Sequence, residues 1–127
     1  MIVADASAAV LALLKDGDAR RILAREAVSV PHLADSEVVH ALRSQVIRRA
    51  ITSAQAAGAL GVWSRLGLRR FEVAGLVGRI WELGENLTGY DATYVALAEY
   101  LESPLLTADA RLGNAPGPTC PITVVKG

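Results

Sequence analysis

The sequence opens with MIVADAS (residues 1–7), an apolar run that ends at a carboxylate. The apolar residues before Asp5 are typical of a buried strand, and the small residues after it lead into a helical pattern from Ala8 to Leu14. Ser7 is placed to cap that helix. Ligands bind at the carboxyl ends of strands in open α/β sheets. We therefore expect Asp5 at the binding edge of a sheet.

Length and composition indicate one domain, residues 1–127, with a substantial core. Basic and acidic residues balance at 13 each, which argues against tight non-specific binding of nucleic acid. The single cysteine, Cys120, excludes an internal disulfide and fits a reducing compartment. The sequence shows no charged leader and no apolar run of the ~20 residues needed to span a membrane. We expect a cytoplasmic protein without a membrane segment.

The rest of the chain alternates between short apolar strands and helices. After the first strand, strands are predicted at residues 28–30, 71–73, 105–107 and 122–125. Helices are predicted at residues 18–27, 34–50, 52–66, 76–87 and 90–101. This alternation predicts an α/β fold, with a parallel, doubly wound sheet of five strands and helices on both faces.

Four carboxylates fall where such a sheet collects its binding residues. Asp5 ends the first strand, Asp109 follows the fourth, and Glu37 and Asp91 are expected in first helical turns. Each acid alone is also explained by helix capping or by the helix dipole. Together they would repel one another and raise at least one pKa unless a cation neutralised them. Oxygen ligands of this kind suit Mg²⁺, which can activate water and hold a phosphodiester.

Other chemistries lack their residues. No G-x-G-x-x-G or Walker pattern follows a strand, so a dinucleotide or nucleoside triphosphate cradle is not indicated. His32 has no Ser or Cys partner. Glu37 and His40 have the i, i+3 spacing of a carboxylate–histidine metal motif, but the second copy is absent and His40 is expected at the surface. Trp63 is explained equally well by core packing and by contact with a partner protein.

Four segments in order resemble the PIN-domain ribonucleases, and within them the VapC toxins of toxin–antitoxin pairs. The resemblance covers essentially the whole chain. The matching segments are IVADAS (2–7), Pro31 with SEV (36–38) and AL (41–42), LTGYDA (87–92) with ALA (96–98), and LLTADARL (105–112).

The resemblance implies a single PIN-like domain and an endoribonuclease that uses Mg²⁺, with Mn²⁺ able to substitute. It also implies an RNA substrate, a cognate antitoxin that blocks the site, and a homodimer. By motif position, the catalytic and metal-binding residues would be Asp5, Glu37, Asp91 and Asp109, with supporting roles for Ser7 and Thr107. Two alternatives remain open at this point: a PIN-fold module that only binds RNA or protein, and a PIN nuclease of RNA maturation outside a toxin–antitoxin pair.

Overall fold

A computed structural model describes residues 1–127 as one five-stranded sheet flanked by helices. The strands are β1 (Ile2–Ala4), β2 (Val28–Pro31), β3 (Arg69–Phe71), β4 (Leu105–Thr107) and β5 (Ile122–Val124). The helices are α1 (Ala6–Leu14), α2 (Asp18–Arg25), α3 (Leu33–Ile47), α4 (Ser53–Arg65), α5 (Val77–Leu83), α6 (Gly89–Tyr100) and α7 (Ala110–Asn114). A 3-10 turn at Ala74–Leu76 precedes α5.

All neighbouring strands are parallel, in the order β3-β2-β1-β4-β5. The chain moves outward from β1 through β2 to β3, and then crosses to the other side of β1 for β4 and β5. The order of strands therefore reverses between β1 and β4, which is where open α/β sheets bind ligands. The pairing of Val3 with Leu105 and of Ala4 with Leu106 brings Asp5 next to Thr107 at this point.

The core lies on both sides of the central strands. Helix α1 packs against α2, α3 and α4, while α6 packs against α5 and crosses β1, β2 and β4. Every residue of β1, β2 and β4 is buried, and so is the run Ala92–Ala98 in α6. These strands consist largely of apolar residues because both faces of the sheet are covered there. The predicted α/β class and the five parallel strands are confirmed. None of the helices is both long and apolar enough to cross a membrane.

The start of α1 corrects the prediction that Ser7 caps this helix. The helix begins at Ala6, and Asp5 is its N-cap, with extended backbone and a side chain that accepts a hydrogen bond from the Ala8 amide at 2.9 Å. Ser7 lies inside the first turn, where it cannot cap. An aspartate is as good an N-cap as a serine, so the earlier start is still capped by a side chain.

Several other boundaries differ from those predicted. The third strand is 69–71 rather than 71–73, because β3 pairs with β2 from Ser29↔Arg69 onward and Val73 already leads into the 3-10 turn. Helix α5 stops at Leu83 instead of 87, where Gly84 closes a tight turn on Trp81. Helix α3 spans 33–47 rather than 34–50, and its early start puts Glu37 in the second turn, not the first.

The two interpretations of Trp63 are resolved in favour of the core. Its side chain is 4% exposed, and its indole Nε1 donates a hydrogen bond to Asp35 Oδ1 at 2.8 Å. Asp35 also accepts two bonds of 2.8 Å from the guanidinium of Arg70. This group of three side chains therefore joins α4, α3 and β3. His40 is exposed, as expected.

The two tryptophans offer a matched test of this packing, because Trp63 is buried and Trp81 is 84% exposed. We expect Trp63→Ala to lower the free energy of unfolding by about 3–5 kcal/mol, through the lost burial and the cavity left behind. Trp81→Ala should change it by no more than roughly 0.5 kcal/mol. Urea unfolding followed by circular dichroism measures both. Equal effects of the two substitutions would contradict the assignment of Trp63 to the core.

Candidate metal centre at the carboxyl edge of the sheet

Asp5 is held in a buried cradle of hydrogen bonds between β1 and β4. Its side chain is 5% exposed. Oδ1 accepts from the Ser7 hydroxyl at 2.6 Å and from the Ala8 amide at 2.9 Å, and Oδ2 accepts from the Thr107 hydroxyl at 2.5 Å. The carboxylate is therefore fixed in orientation by three donors.

The same two hydroxyls also organise the turn after β4. Ser7 Oγ accepts a bond from the Ala108 amide at 2.9 Å, and Thr107 Oγ1 accepts one from the Asp109 amide at 3.0 Å. Each hydroxyl proton already points to Asp5, so the 3.2 Å contact between Ser7 Oγ and Thr107 Oγ1 has no proton to share. The two side chains predicted to support the site thus connect Asp5 to the backbone that carries Asp109.

Burial raises the pKa of Asp5 above its ordinary value of 3.8, and the nearby charge of Asp109 raises it further. The hydrogen bonds from Ser7, Thr107 and Ala8 act in the opposite direction but do not cancel the effect of burial. A buried carboxylate that is well supplied with donors and still resists ionisation is one that lacks a compensating positive charge.

Asp91 and Glu37 approach this cradle from α6 and α3. Burial raises the pKa of Asp91, and repulsion from Asp5 and Asp109 adds to it. Burial also raises the pKa of Glu37, with repulsion from Asp91 and Asp5. The acids are thus close enough for their charges to act on one another. Thr88 caps α6 by accepting a hydrogen bond from the Asp91 amide at 3.0 Å, and this bond fixes Asp91 in the first turn of the helix.

Glu37 and Tyr94 form an unsatisfied polar pair beside these acids. The Tyr94 hydroxyl lies near the Glu37 carboxylate and favours its charged form, but the two groups do not meet the geometry of a hydrogen bond. Glu37 Oε1 and the Tyr94 hydroxyl are both buried without a partner. Buried polar atoms without a partner are uncommon and indicate that another group completes the site.

Asp109 differs from the other three acids, because it is already paired with a cation. Its carboxylate caps α7 by accepting from the Arg111 amide at 2.9 Å, as expected for an acid that opens a helical turn. Both of its oxygens also face the Arg111 guanidinium, at 3.2 Å to Nε and 3.1 Å to Nη2. The guanidinium holds the pKa of Asp109 below its ordinary value.

The four acids share one edge of the sheet, but they do not converge on a single point. No three His, Cys, Asp or Glu side chains stand close enough together to hold a metal ion. The residues nevertheless fit a hard divalent cation, because their oxygens are all carboxylate oxygens. Three of the four carboxyl groups have raised pKa values, and Glu37 Oε1 has no hydrogen-bond partner. The roles of these residues stay predictions.

Two residues at this edge were not singled out from the sequence. Tyr94 is one turn beyond Asp91 on α6, and a buried tyrosine there is also explained by core packing alone. Arg111 follows Asp109 by two residues, and the Asp-x-Arg spacing at a helix start is the signal that could have indicated the pair. Neither side chain could be placed against its acid without the fold.

Comparison with known proteins agrees with this architecture. Residues 2–118 match the PIN domain family. The solved structure of VapBC2 from Rickettsia felis, bound to a DNA fragment from their promoter, has a TM-score of 0.69 with 13% identity and covers 98% of both chains. At that identity, the likeness shows the fold alone. The chain belongs to the PIN-domain family.

Within that family, two relatives are similar over nearly the full length of both proteins. They are VapC ribonuclease Mb0985 of Mycobacterium bovis and ribonuclease VapC9 of Mycobacterium tuberculosis. Each is 52% identical over 125 residues, covering 98% of this chain and 98% of the relative. The chain is therefore a VapC-type member of the family.

The raised pKa values predict how the metal-free protein responds to pH. In the folded state Asp5, Glu37 and Asp91 hold protons that the unfolded chain releases near the ordinary values of 3.8 and 4.5. The stability that they contribute is therefore fully present below those values and is lost as the pH rises through the folded-state values. Groups with lowered pKa values, such as Asp109, lose their contribution only below 3.8, outside this window.

Asp91→Asn removes one of these groups, so it should stabilise the metal-free protein at neutral pH and flatten the decline in stability above pH 3.8. Urea unfolding in EDTA across this range measures the effect. Asp16→Asn is the matched control, because Asp16 is exposed in the loop between α1 and α2. A slope for Asp91→Asn equal to that of the wild type would contradict the raised pKa of Asp91 in the folded protein.

Proposed function

We propose that this chain is an endoribonuclease that depends on Mg²⁺, with Mn²⁺ able to substitute, and that it acts in the cytoplasm as the toxin of a toxin–antitoxin pair. Its place among VapC-type PIN domains supports the ribonuclease activity. The observation that supports the metal-dependent mechanism is the raised pKa of Asp5, Glu37 and Asp91 at one edge of the sheet, caused by burial and by repulsion from neighbouring acids, which a divalent cation would relieve.

The positions of the residues at this edge suggest a different role for each of them. Asp5 and Asp91 are the first choices for direct ligands, and Glu37 and Asp109 complete the negative site directly or through waters. Ser7 and Thr107 orient Asp5 from the second layer. A divalent ion bound there supplies two effects needed to hydrolyse an RNA phosphodiester, since it makes a water more acidic and offsets negative charge on the phosphate. No side chain of the site is required as a covalent nucleophile.

Two protein partners belong to this proposal: a cognate antitoxin and a second copy of the chain. The Rickettsia felis complex is described as VapBC2 bound to promoter DNA, and it supports a partner of the antitoxin type for this chain. An apolar cleft of about 360 Å³ between α1, α2 and α4 offers the antitoxin an apolar surface for contact. Leu13, Leu23, Val62 and Leu66 are among the residues that line it.

The direct test of function is the cleavage of RNA by the purified protein. With Mg²⁺, wild type should cut structured RNA from a bacterial extract, and excess EDTA should stop the reaction. Asp5→Asn and Asp91→Asn should reduce cleavage to background, because each removes a negative ligand while an asparagine keeps the size of the side chain. Mapping RNA ends for wild type and Asp5→Asn identifies the cut positions.

Asp16→Asn serves as the control, since α1 carries the chain roughly 15 Å from Asp5 to that loop. It should cleave like wild type. Cleavage that survives EDTA or both site substitutions would contradict the metal mechanism. Binding of RNA without any turnover would favour a binding module, and cleavage without growth arrest on expression would favour a nuclease of RNA maturation.

The supporting role of Thr107 can be tested by measuring metal binding without RNA. Thr107→Val keeps the shape of the side chain but removes the donor to Asp5 Oδ2 and the acceptor for the Asp109 amide. We expect its affinity for Mn²⁺, measured by calorimetry without RNA, to fall by about 10- to 100-fold. Thr93→Val is the control, because the Thr93 hydroxyl bonds only to the Gly89 carbonyl of its own helix. Equal affinities for the two variants would contradict a supporting role for Thr107.

A further inference from the structure

Arg111 is an exposed cation bound to one acid of a site that needs its acids free. Its side chain is 92% exposed, whereas the side chain of Asp109 is only 29% exposed. The guanidinium engages both oxygens of Asp109, as a fork rather than through a single contact. An arginine with so little packing around it can leave this position without disturbing the core.

The pair occupies the carboxylate in a way that opposes metal binding. Asp109 would join Asp5 and Asp91 at a bound cation, and its charge already acts on both of them. In the structure the four acids do not converge, and Asp109 is the one acid of the four with an arginine partner. A divalent ion that recruits Asp109 must therefore compete with Arg111 for the same oxygens.

Once released, Arg111 stays beside the site. It is two residues from Asp109 at the start of α7, and its charge also reaches Asp91. The planar fork of a guanidinium fits a phosphate as well as it fits a carboxylate. An RNA strand whose phosphate enters the site would meet this cation at the mouth.

We propose that Arg111 is a substrate-positioning residue that exchanges partners: it holds Asp109 in the metal-free protein, and it binds an RNA phosphate when a divalent ion takes that carboxylate. This inference rests on the proposed function. It assigns to Arg111 two effects of opposite sign, since the side chain weakens metal binding and strengthens RNA binding. If Arg111 only stabilised α7, its substitution would not strengthen metal binding while weakening RNA binding.

The first measurement is metal binding without RNA, by calorimetric titration with Mn²⁺. Arg111→Gln keeps the length of the side chain but loses the charge, and it should bind the ion roughly two- to fivefold more tightly, the factor expected from releasing an exposed ion pair. Arg48→Gln is the matched control. Arg48 is exposed at the far end of α3, about 16 Å along the helix from Glu37, and should bind like wild type.

The second measurement is RNA binding, by fluorescence anisotropy of a labelled RNA hairpin in Ca²⁺, with the hairpin checked on a gel to be intact. A phosphate contact is independent of sequence, so any structured hairpin reports it. Arg111→Gln should weaken binding and reduce the slope of log K against log salt concentration by roughly 0.9, the loss of one phosphate contact. Arg111→Lys keeps the charge and should keep the slope of wild type.

Tighter metal binding together with a reduced salt slope supports the exchange. If Arg111→Gln binds Mn²⁺ no more tightly than wild type, or if its salt slope is unchanged, the exchange is overturned. Wild type provides the separate check on function. If wild type neither binds Mn²⁺ nor cleaves RNA, the proposed function fails; if it does both while the Arg111 variants behave like it, only this inference fails.

Discussion

The fixation of the Asp5 carboxylate between β1 and β4 is the constraint on which the rest of the structure depends. Three donors hold it: the Ser7 hydroxyl, the Thr107 hydroxyl and the Ala8 amide in the first turn of α1. These bonds pin the first helix to the first strand and, through Thr107, join β1 to its neighbour in the sheet. One buried group thereby sets the start of α1, the alignment of two strands and the geometry of the binding edge.

Three of the four acids at that edge have a raised pKa, whereas the pKa of the fourth, Asp109, is lowered by its ion pair with an arginine. The contrast follows from burial. Asp5 sits under the strand ends, and no cation reaches it, whereas Asp109 lies at the surface, where the long side chain of Arg111 can turn back on it. In the metal-free protein, the buried carboxyl group of Asp5 therefore has no cation beside it, whereas the more exposed carboxylate of Asp109 is neutralised by Arg111.

The sequence predicted the alternation of strands and helices along the chain and the five parallel strands of the sheet. It also placed Asp5 directly after a buried strand, because an apolar run that ends in a carboxylate indicates burial and position together. It named Ser7 as the cap of α1 and gave capping by Asp5 only as an alternative, since both residue types are good caps and only the backbone decides between them. The shift of β3 to 69–71 was also hidden, because Arg69 and Arg70 look like loop residues and are held in the strand by pairing with β2. Side chains from distant segments, such as Tyr94 and Glu37, come to lie near one another only in the fold, and no local pattern contains that distance.

Asp5 is both the cap of α1 and a buried negative charge, and a mutation can separate these two properties. Asparagine is as favourable as aspartate at a helix N-cap, so exchanging one for the other keeps the start of α1 while it removes the negative charge. Aspartate and asparagine codons differ by a single base transition. One point mutation can therefore remove the buried negative charge between β1 and β4 while it leaves the first helix and the outer surface of the protein in place.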